Sequence, residues 1–235
     1  MNEELRVLLI EDNEDIRIII KDYFSLKSGG AVMVDCLGEG KPDLIRKPLE
    51  TCDIILLDIM LPGMDGFELC REIRKTYSGP VIFISALSDE SDRLKAYERG
   101  ADDYVVKPFS VSELFFKVNA WVKRSRLSAA GEETAGDIIS YEGITLDIKK
   151  RQCLTGEERH FLTYTEFELL RLLVENKEEV LSRETVLNTI WPEKLDVNDR
   201  VVDTHIKNLR KDLGPSGEMI KPVRGVGYCL RKQLS

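Results

Sequence analysis

Five polar residues with useful chemistry each stand at the end of a short apolar run in the first half of the chain. They are Glu11, Asp12, Asp58, Ser85 and Lys107. A carboxylate can attack phosphorus and form an aspartyl phosphate, and carboxylate oxygens are ligands that Mg²⁺ prefers. Hydroxyl and ammonium groups can donate hydrogen bonds to phosphoryl oxygens. The set predicts phosphoryl transfer to Asp58, with Mg²⁺ held by Glu11, Asp12 and Asp58.

Taken singly, each of these residues has an ordinary structural explanation. Glu11 and Asp12 could stabilise a helix N-terminus, Asp58 could end a strand in a turn, and Lys107 could be a solvated lysine. Four strands in one chain that each end in a group suited to phosphoryl transfer are harder to explain in this way.

The elements that must position these groups alternate regularly between residues 5 and 124. Five short β-rich runs, 7–10, 32–36, 54–57, 81–84 and 104–106, are separated by stretches with helical periodicity. This alternation predicts an α/β doubly wound (βα)5 domain with a parallel sheet, whose strand ends share one ligand-binding edge. The second helix is the weak element, because Pro42 and Pro48 bracket it.

A second domain follows a stretch of small and acidic residues. We predict a phosphoacceptor domain at 1–124, a flexible linker at 125–136 and an effector domain at 137–235. The effector pattern shows short strands, a helix at 166–175 with Thr165 as N-cap and Glu168 completing a capping box, and a helix after Ser182. A third helix at about 199–213 and a terminal hairpin complete an α+β winged helix-turn-helix.

Composition separates the two halves and limits the function classes. The 235 residues carry a net charge of −8. Residues 198–235 nevertheless hold 8 basic and 4 acidic residues, a local excess of 4 positive charges that suits a polyanionic partner. Five widely spaced cysteines and two histidines argue against a disulfide framework and a zinc site. With no long apolar run and no leader, we expect a cytoplasmic protein that does not enter a membrane.

The residues at the strand ends carry a family resemblance, as does the C-terminal part. Leu8 to Asp12, Leu56 to Gly66, Ser85-Ala86 and Gly100 to Phe109 resemble the flavodoxin-like receiver domain of two-component response regulators. Asp203 to Lys211 and Val223 to Tyr228 resemble the winged-helix effector of the OmpR/PhoB family.

The resemblance implies specific roles in the receiver. Asp58 matches the phosphoacceptor, the residue that would receive a phosphoryl group from a sensor histidine kinase. Glu11, Asp12 and the Met60 backbone carbonyl match magnesium ligands, and Lys107 matches the family's lysine. Ser85 and Tyr104 match a hydroxyl and an aromatic residue that move together on phosphorylation.

The resemblance also implies a homodimer when the protein is phosphorylated. The family's receivers pair through the fourth helix, fifth strand and fifth helix, with charge pairs across the twofold axis. The matching pairs are Arg93 with Glu113, Asp103 with Lys117, and Asp102 with Arg124. All three have opposite signs, although a solvated surface could produce this by chance.

The third effector helix is expected to read double-stranded DNA. The resemblance implies direct-repeat sites, and RNA polymerase is a further candidate partner. Its polar face suits a major groove, and Arg224 in the hairpin suits a minor groove or a phosphate. The expected contacts are Arg200, Thr204, His205, Lys207, Asn208, Arg210, Lys211 and Arg224. His205 either faces a phosphate or packs, and an ordinary surface helix is the competing explanation.

Three other functions fit these residues less well. Haloacid-dehalogenase-type phosphatases place a second aspartate two residues after the nucleophile, where this chain has Met60, so we expect no enzyme beyond slow autodephosphorylation. Nucleotide binding lacks a complete glycine-rich fingerprint. A phosphorylation-independent protein would not be expected to retain all five of the polar residues at the strand ends.

Overall fold

The structure is a computed structural model that describes residues 4–129, 137–192 and 197–232. The chain divides into two compact units, Met1–Ser125 and Arg126–Ser235. No helix among the described residues combines the length and the apolar character needed to cross a membrane.

The first unit is built on five parallel strands, flanked by helices that follow them along the chain. The strands are β1 (Leu5–Ile10), β2 (Val32–Leu37), β3 (Ile54–Asp58), β4 (Val81–Ser85) and β5 (Asp103–Val106). The helices are α1 (Glu14–Ser28), α2 (Pro42–Leu49), α3 (Gly66–Ile73), α4 (Glu90–Glu98) and α5 (Val111–Ala129). The spatial order β2-β1-β3-β4-β5 confirms the doubly wound prediction and puts a topological switch point between β1 and β3.

The central strands have continuous apolar sequences because they lie in the core of this unit. Every residue of β3 and β4 is buried, because helices cover both faces of a parallel sheet. Only the terminal residues Asp58 and Ser85 are polar. They therefore lie at the edge where the buried strands open into loops.

Two expectations about helices in this unit need correction. The weak second helix does form over Pro42–Leu49, because Pro42 occupies the first turn, where its missing N–H costs nothing, and Pro48 lies in the last turn. Helix α5 continues to Ala129, so residues 125–129 of the predicted flexible linker are helical. The rest of that linker lies outside the described residues.

The described residues of the second unit form two antiparallel sheets and three α-helices. One sheet joins β6 (Ile138–Tyr141), β7 (Ile144–Asp147), β8 (Gln152–Thr155) and β9 (Glu158–His160) in that order. The helices are α6 (Tyr164–Glu175), α7 (Arg183–Ile190) and α8 (Asp199–Asp212). The second sheet has the order β10 (Leu181–Ser182), β12 (Gly227–Leu230), β11 (Ile220–Val223), so the predicted winged helix is confirmed.

The start of α6 lies two residues before the predicted one. The chain contains two overlapping Thr-x-x-Glu patterns, and the structure uses the first. Thr163 is the N-cap: Glu166 N donates to its hydroxyl at 3.3 Å, and Thr163 N donates to Glu166 Oε2 at 2.8 Å. Thr165 and Glu168 lie inside the helix, where Glu168 instead pairs with Arg151 at 2.8 Å. The predicted Thr165 cap is therefore wrong.

Candidate functional sites

Three carboxylates meet where β1 and β3 end. Glu11 is fully buried, Asp58 is 3% exposed, and Asp12 is exposed. One oxygen of each lies within 4.8 Å of the others. Two of these carboxylates are buried and one is at the surface, and all three lie at the switch point of the sheet. Such a group favours a small divalent cation that keeps open positions for water or phosphate.

The loop after β3 is shaped to hold Asp58. Met60 N donates to Asp58 Oδ1 at 3.1 Å, while the Met60 side chain is 62% exposed. Helix α3 begins so close to this loop that a β-carbon on Gly66 would lie 2.2 Å from the Asp58 carbonyl oxygen. Residue 66 therefore has to be a glycine. This explains why the stretch from Leu56 to Gly66, which resembles the receiver motif, ends in glycine.

Lys107 reaches this cluster from the end of β5. Its ammonium donates to Asp58 Oδ2 at 2.6 Å and to Glu11 Oε2 at 2.7 Å. Burial raises the pKa of Glu11 despite the Lys107 hydrogen bond. Burial alone would lower the pKa of Lys107, but its hydrogen bonds to Asp58 and Glu11 outweigh this and raise it. Lys107 is therefore a fixed positive charge that holds two carboxylates together.

Ser85 and Tyr104 are joined through the backbone of one residue, Leu87. Ser85 is fully buried, and its hydroxyl accepts a hydrogen bond from Leu87 N at 3.3 Å. The Tyr104 ring is turned inward, 4% exposed, and its hydroxyl donates to the Leu87 carbonyl at 2.7 Å. A displacement of Ser85 would therefore be passed through Leu87 to Tyr104, which is the geometry that a coupled pair requires.

Removing the Lys107 charge should destabilise the receiver in a pH-dependent way. In EDTA at pH 7, Lys107→Met should lower the free energy of unfolding by about 2 kcal/mol, since the carboxylates lose their shared cation. The raised pKa of Glu11 should rise further. The deficit should therefore shrink as the pH falls through that pKa, because Glu11 then takes up a proton.

The measurement is a urea titration between pH 4 and 8, with amide exchange in β1 and β3 as the local readout. Lys123→Met, on the exposed side of α5, is the matched control. A deficit that does not change with pH would contradict the electrostatic explanation.

Helix α8 has the two faces that its spacing predicts. Val202, Ile206, Leu209 and Leu213 are buried. On the other face Arg200, Lys207 and Lys211 are exposed, and Thr204 and Asn208 are half-buried. Arg224 is exposed in the turn between β11 and β12. The basic and polar groups of the helix thus remain accessible for a polyanion, as does the wing arginine.

Two residues of the predicted DNA surface have other partners. His205 is fully buried, with its ring 5.3 Å from that of Trp191. It lies three residues after Val202 and four before Leu209, so the apolar spacing could have placed it on the buried face. Arg210 donates to the Ile220 carbonyl through Nε at 3.0 Å and Nη2 at 2.5 Å. The full burial of His205 contradicts its predicted contact with DNA. The Arg210 contact stays a prediction, because this side chain is half-buried.

A three-residue network that the sequence did not reveal joins α8 to the wing. Arg183 Nε donates to Asp203 Oδ1 at 2.8 Å, and the Tyr228 hydroxyl donates to the same oxygen at 2.7 Å. The Arg183 guanidinium also lies over the Tyr228 ring, 5.0 Å from its centre. These contacts set the position of β12 against α8, and so the position of the wing beside the recognition helix.

Two of the three predicted dimer pairs are made differently, within one chain. Asp102 is fully buried and binds Arg74, with Nη2 to Oδ2 at 2.5 Å. Asp103 accepts from Lys117 Nζ at 2.6 Å and from Trp121 Nε1 at 2.9 Å. The guanidinium of Arg124 lies over the Trp121 ring, 4.7 Å from its centre. Opposite signs could not distinguish contacts within a chain from contacts between chains, and the burial of Asp102 and Asp103 within one chain argues against their predicted contacts across the dimer.

The third pair stays a prediction. Arg93 is half-buried on α4, and Glu113 is exposed in the first turn of α5. Both side chains lie on the part of the receiver that the resemblance identifies as its dimer face.

Comparisons with known proteins agree with this geometry. A family model for the response regulator receiver domain matches residues 7–119, and one for the C-terminal part of transcriptional regulatory proteins matches residues 156–230. Response regulator ArlR of Staphylococcus saprophyticus is 36% identical over 229 residues, which cover 97% of this chain and 99% of that protein. The probable transcriptional regulator ycf27 of Guillardia theta is 39% identical over 234 residues, covering 97% and 91% respectively.

Solved structures agree over the same span. Two structures of RitR mutants match with TM-scores of 0.76 and 0.78 at 26% and 25% identity, each covering 97% of this chain and 99% of theirs. A receiver with a carboxylate cluster, a winged helix with a basic recognition face, and relatives that align from end to end lead to one assignment. The chain belongs to the OmpR/PhoB-type response regulators, the transcription regulators of two-component systems.

Proposed function

We propose that Asp58 is the residue that accepts a phosphoryl group from a histidine kinase. The observation that carries this proposal is the position of its carboxylate, between the Lys107 ammonium at 2.6 Å and the carboxylates of Glu11 and Asp12. One carboxylate oxygen attacks phosphorus and forms the new P–O bond, while the P–N bond of the kinase's phosphohistidine breaks and the imidazole leaves; with acetyl phosphate, the acyl-phosphate P–O bond breaks and acetate leaves. Lys107 balances charge on the transferred oxygens. Ser85 is a second donor to those oxygens.

Magnesium is the cofactor that fits these residues. Hard carboxylate oxygens suit Mg²⁺, which binds few protein ligands and keeps several waters. Glu11, Asp12 and Asp58 would hold it, together with the backbone carbonyl of Met60. When bound, the ion offsets the negative charge that accumulates between donor and acceptor.

The test uses the full chain and acetyl phosphate. With Mg²⁺ present, we expect a single phosphoryl adduct by intact mass, labile in acid and hydroxylamine as an acyl phosphate is. In EDTA the adduct should not form. An adduct that is stable to acid, or that forms equally in EDTA, would overturn the proposal.

The adduct should hydrolyse slowly, so the protein holds a signal and does not turn over a substrate. A phosphatase needs a group that orients and deprotonates water. The side chain beside the acceptor is the exposed, apolar Met60, and Leu87 is the second apolar residue after Ser85. Neither side chain offers a base.

The kinase is expected to bind beside the carboxylates. A groove of about 400 Å³ lies next to Lys107 and is lined by Ile16, Ile19, Ile20, Pro108, Phe109 and Val111. Ile19 is 52% exposed. A kinase that brings its phosphohistidine to Asp58 has to cover this apolar surface, and that burial would contribute affinity.

We propose that phosphorylation pairs two receivers and so places two winged helices on adjacent direct-repeat sites. Phosphorylation adds about −1.5 to −2 charges at Asp58 and would shift the coupled Ser85 and Tyr104. Arg200, Thr204, Lys207, Asn208, Lys211 and Arg224 are the proposed DNA contacts. RNA polymerase stays a predicted partner, and a cytoplasmic location is supported by the DNA-binding family and by five cysteines that are all free.

Lys207 should contribute affinity without sequence preference. Lys207→Ala should weaken binding to every site by a similar factor and reduce the salt slope of log K by about one, since one phosphate contact is lost. Fluorescence anisotropy over a salt series measures it, with Lys150→Ala, in the turn between β7 and β8, as the control. An unchanged slope in the Lys207 variant would mean that this side chain makes no phosphate contact.

Arg93 and Glu113 should contribute to the receiver dimer. Glu113→Arg places two like charges together twice across a twofold axis, so we expect about a tenfold weaker dimer of the phosphorylated protein. Adding Arg93→Glu should restore part of the loss, because the pair is re-formed with reversed signs. Sedimentation velocity compares the variants, and a double variant no better than the single one would place the two residues outside the interface.

A further inference from the structure

An arginine of α1 binds the backbone of Glu11 and Asp12, the two acidic residues that follow β1. Arg17 Nη1 donates to the Glu11 carbonyl at 2.6 Å and to the Asp12 carbonyl at 2.7 Å. These two carbonyls lie just after β1 ends, in the segment that connects the strand to α1. One guanidinium therefore fixes two successive peptide groups, the one that follows Glu11 and the one that follows Asp12.

The other side of the guanidinium packs against the end of β2. A β-carbon on Gly38 would lie 3.2 Å from Arg17 Nη1, closer than ordinary packing. Glu11 N also donates to the Leu37 carbonyl at 3.0 Å, so β2 and the β1–α1 segment are joined at this corner. The absence of a side chain at residue 38 leaves the space that the guanidinium occupies.

From these contacts we infer that Arg17 is a positioning residue for the magnesium site, an inference that rests on the proposed function. Hydrogen bonds from a charged donor are the stronger kind, and two that converge on neighbouring carbonyls restrict the φ and ψ angles between them. Those angles determine where the Glu11 and Asp12 carboxylates point. Groups that orient metal ligands in this way commonly affect metal affinity as much as a ligand does.

The charge of Arg17 and its positioning role should have opposite effects on Mg²⁺ affinity, so an experiment can separate them. Within the described part of the chain, no carboxylate oxygen lies within 4.0 Å of the Arg17 guanidinium, so its charge is directed at carbonyl dipoles. A positive charge this close to a cation site should by itself weaken Mg²⁺ binding. If charge were its main influence, removing Arg17 would strengthen binding.

The experiment is a calorimetric Mg²⁺ titration of the unphosphorylated full chain. Arg17→Ala should weaken Mg²⁺ binding about tenfold or more, the usual effect of losing such a support. Arg17→Lys keeps the charge and one donor, so its affinity should lie between those of Arg17→Ala and the wild type. Lys21→Ala, one helical turn further along α1 on an exposed position, removes the same charge and should bind Mg²⁺ as the wild type does.

A second variant approaches the same guanidinium from the other side. Gly38→Ala should displace it by a few tenths of an ångström and weaken binding in the same direction, by a smaller factor. Urea unfolding in EDTA is measured for each variant. A merely structural role would lower stability without a change in the Mg²⁺ affinity of the folded protein.

The outcomes separate the inference from the proposed function. Equal or tighter Mg²⁺ binding by Arg17→Ala, in a protein whose wild type binds the ion, would overturn the role of Arg17 alone. A wild type that binds no Mg²⁺ would overturn the magnesium site and the inference with it. If Arg17→Ala does not fold, Arg17→Lys and Gly38→Ala decide, and unchanged affinity in both would overturn the inference.

Discussion

Asp58→Asn is expected to abolish phosphoryl uptake from acetyl phosphate and from the kinase. An amide oxygen is a poor nucleophile, so the acceptor chemistry is lost while the size and shape of the side chain are kept. Asparagine can still accept the hydrogen bond from Met60 N that the carboxylate accepts at 3.1 Å, so the loop should keep its shape. Phosphorylation-dependent dimerisation and tight binding to a two-site operator should be lost with it.

Asp53 provides the matched control at the other end of the same strand. Its carboxylate accepts from Arg6 N at 2.8 Å, next to the first residue of β3 and far along the strand from the carboxylate cluster. Asp53→Asn should be phosphorylated as the wild type is. Stoichiometric, acid-labile phosphate in Asp58→Asn, under the conditions used for the wild type, would show that another residue is the acceptor.

The second large effect is expected on stability, from Arg74. Its side chain is 8% exposed and donates to Asp102 and to the carbonyls of Tyr77, Gly79 and Gly100. Asp102 also accepts from Val81 N at 2.8 Å. Arg74→Met would leave a buried carboxylate and several buried carbonyls without this donor. Breaking one side of such a buried pair costs about 3–5 kcal/mol, and we expect a destabilisation in that range.

Hydrogen exchange on the full chain measures the loss and localises it. Amides of β4 and β5 should exchange faster in Arg74→Met, while those of the second unit should not change. Arg71→Met, on the exposed side of α3, is the control. Adding Asp102→Asn should recover part of the stability, because it removes the uncompensated charge. An Arg74→Met protein as stable as the control would contradict the assigned role.

The parts of the site that the sequence revealed are those set by strand ends and by spacing. Asp58 and Ser85 were found because a parallel sheet brings the ends of its strands to one edge. The buried and polar faces of α8 followed from a repeat of three to four residues. His205 fits the same repeat, and its polarity misled the interpretation.

Two kinds of feature could not be predicted from the sequence. One is a contact between residues far apart in the chain, and the other is a choice between two local patterns that fit equally well. Arg74 and Asp102 are 28 positions apart, and nothing in the chain marks them as partners. Thr163 and Thr165 begin identical capping patterns, and only the packing of α6 selects between them. Arg17 reads as an ordinary helix residue, because its partners are backbone carbonyls, which have no sequence signature.

The reach of Lys107 has a consequence for the timing of biosynthesis. Its ammonium contacts Glu11 across 96 positions of sequence and Asp58 across 49, and β4 lies between its own strand and that of Asp58. A nascent chain that has released only its first four strands from the ribosome presents Glu11 and Asp58 without their cation. With Asp58 as the proposed acceptor, a kinase would meet the complete site only after the fifth strand has emerged and paired, so we expect incomplete chains not to take up a phosphoryl group.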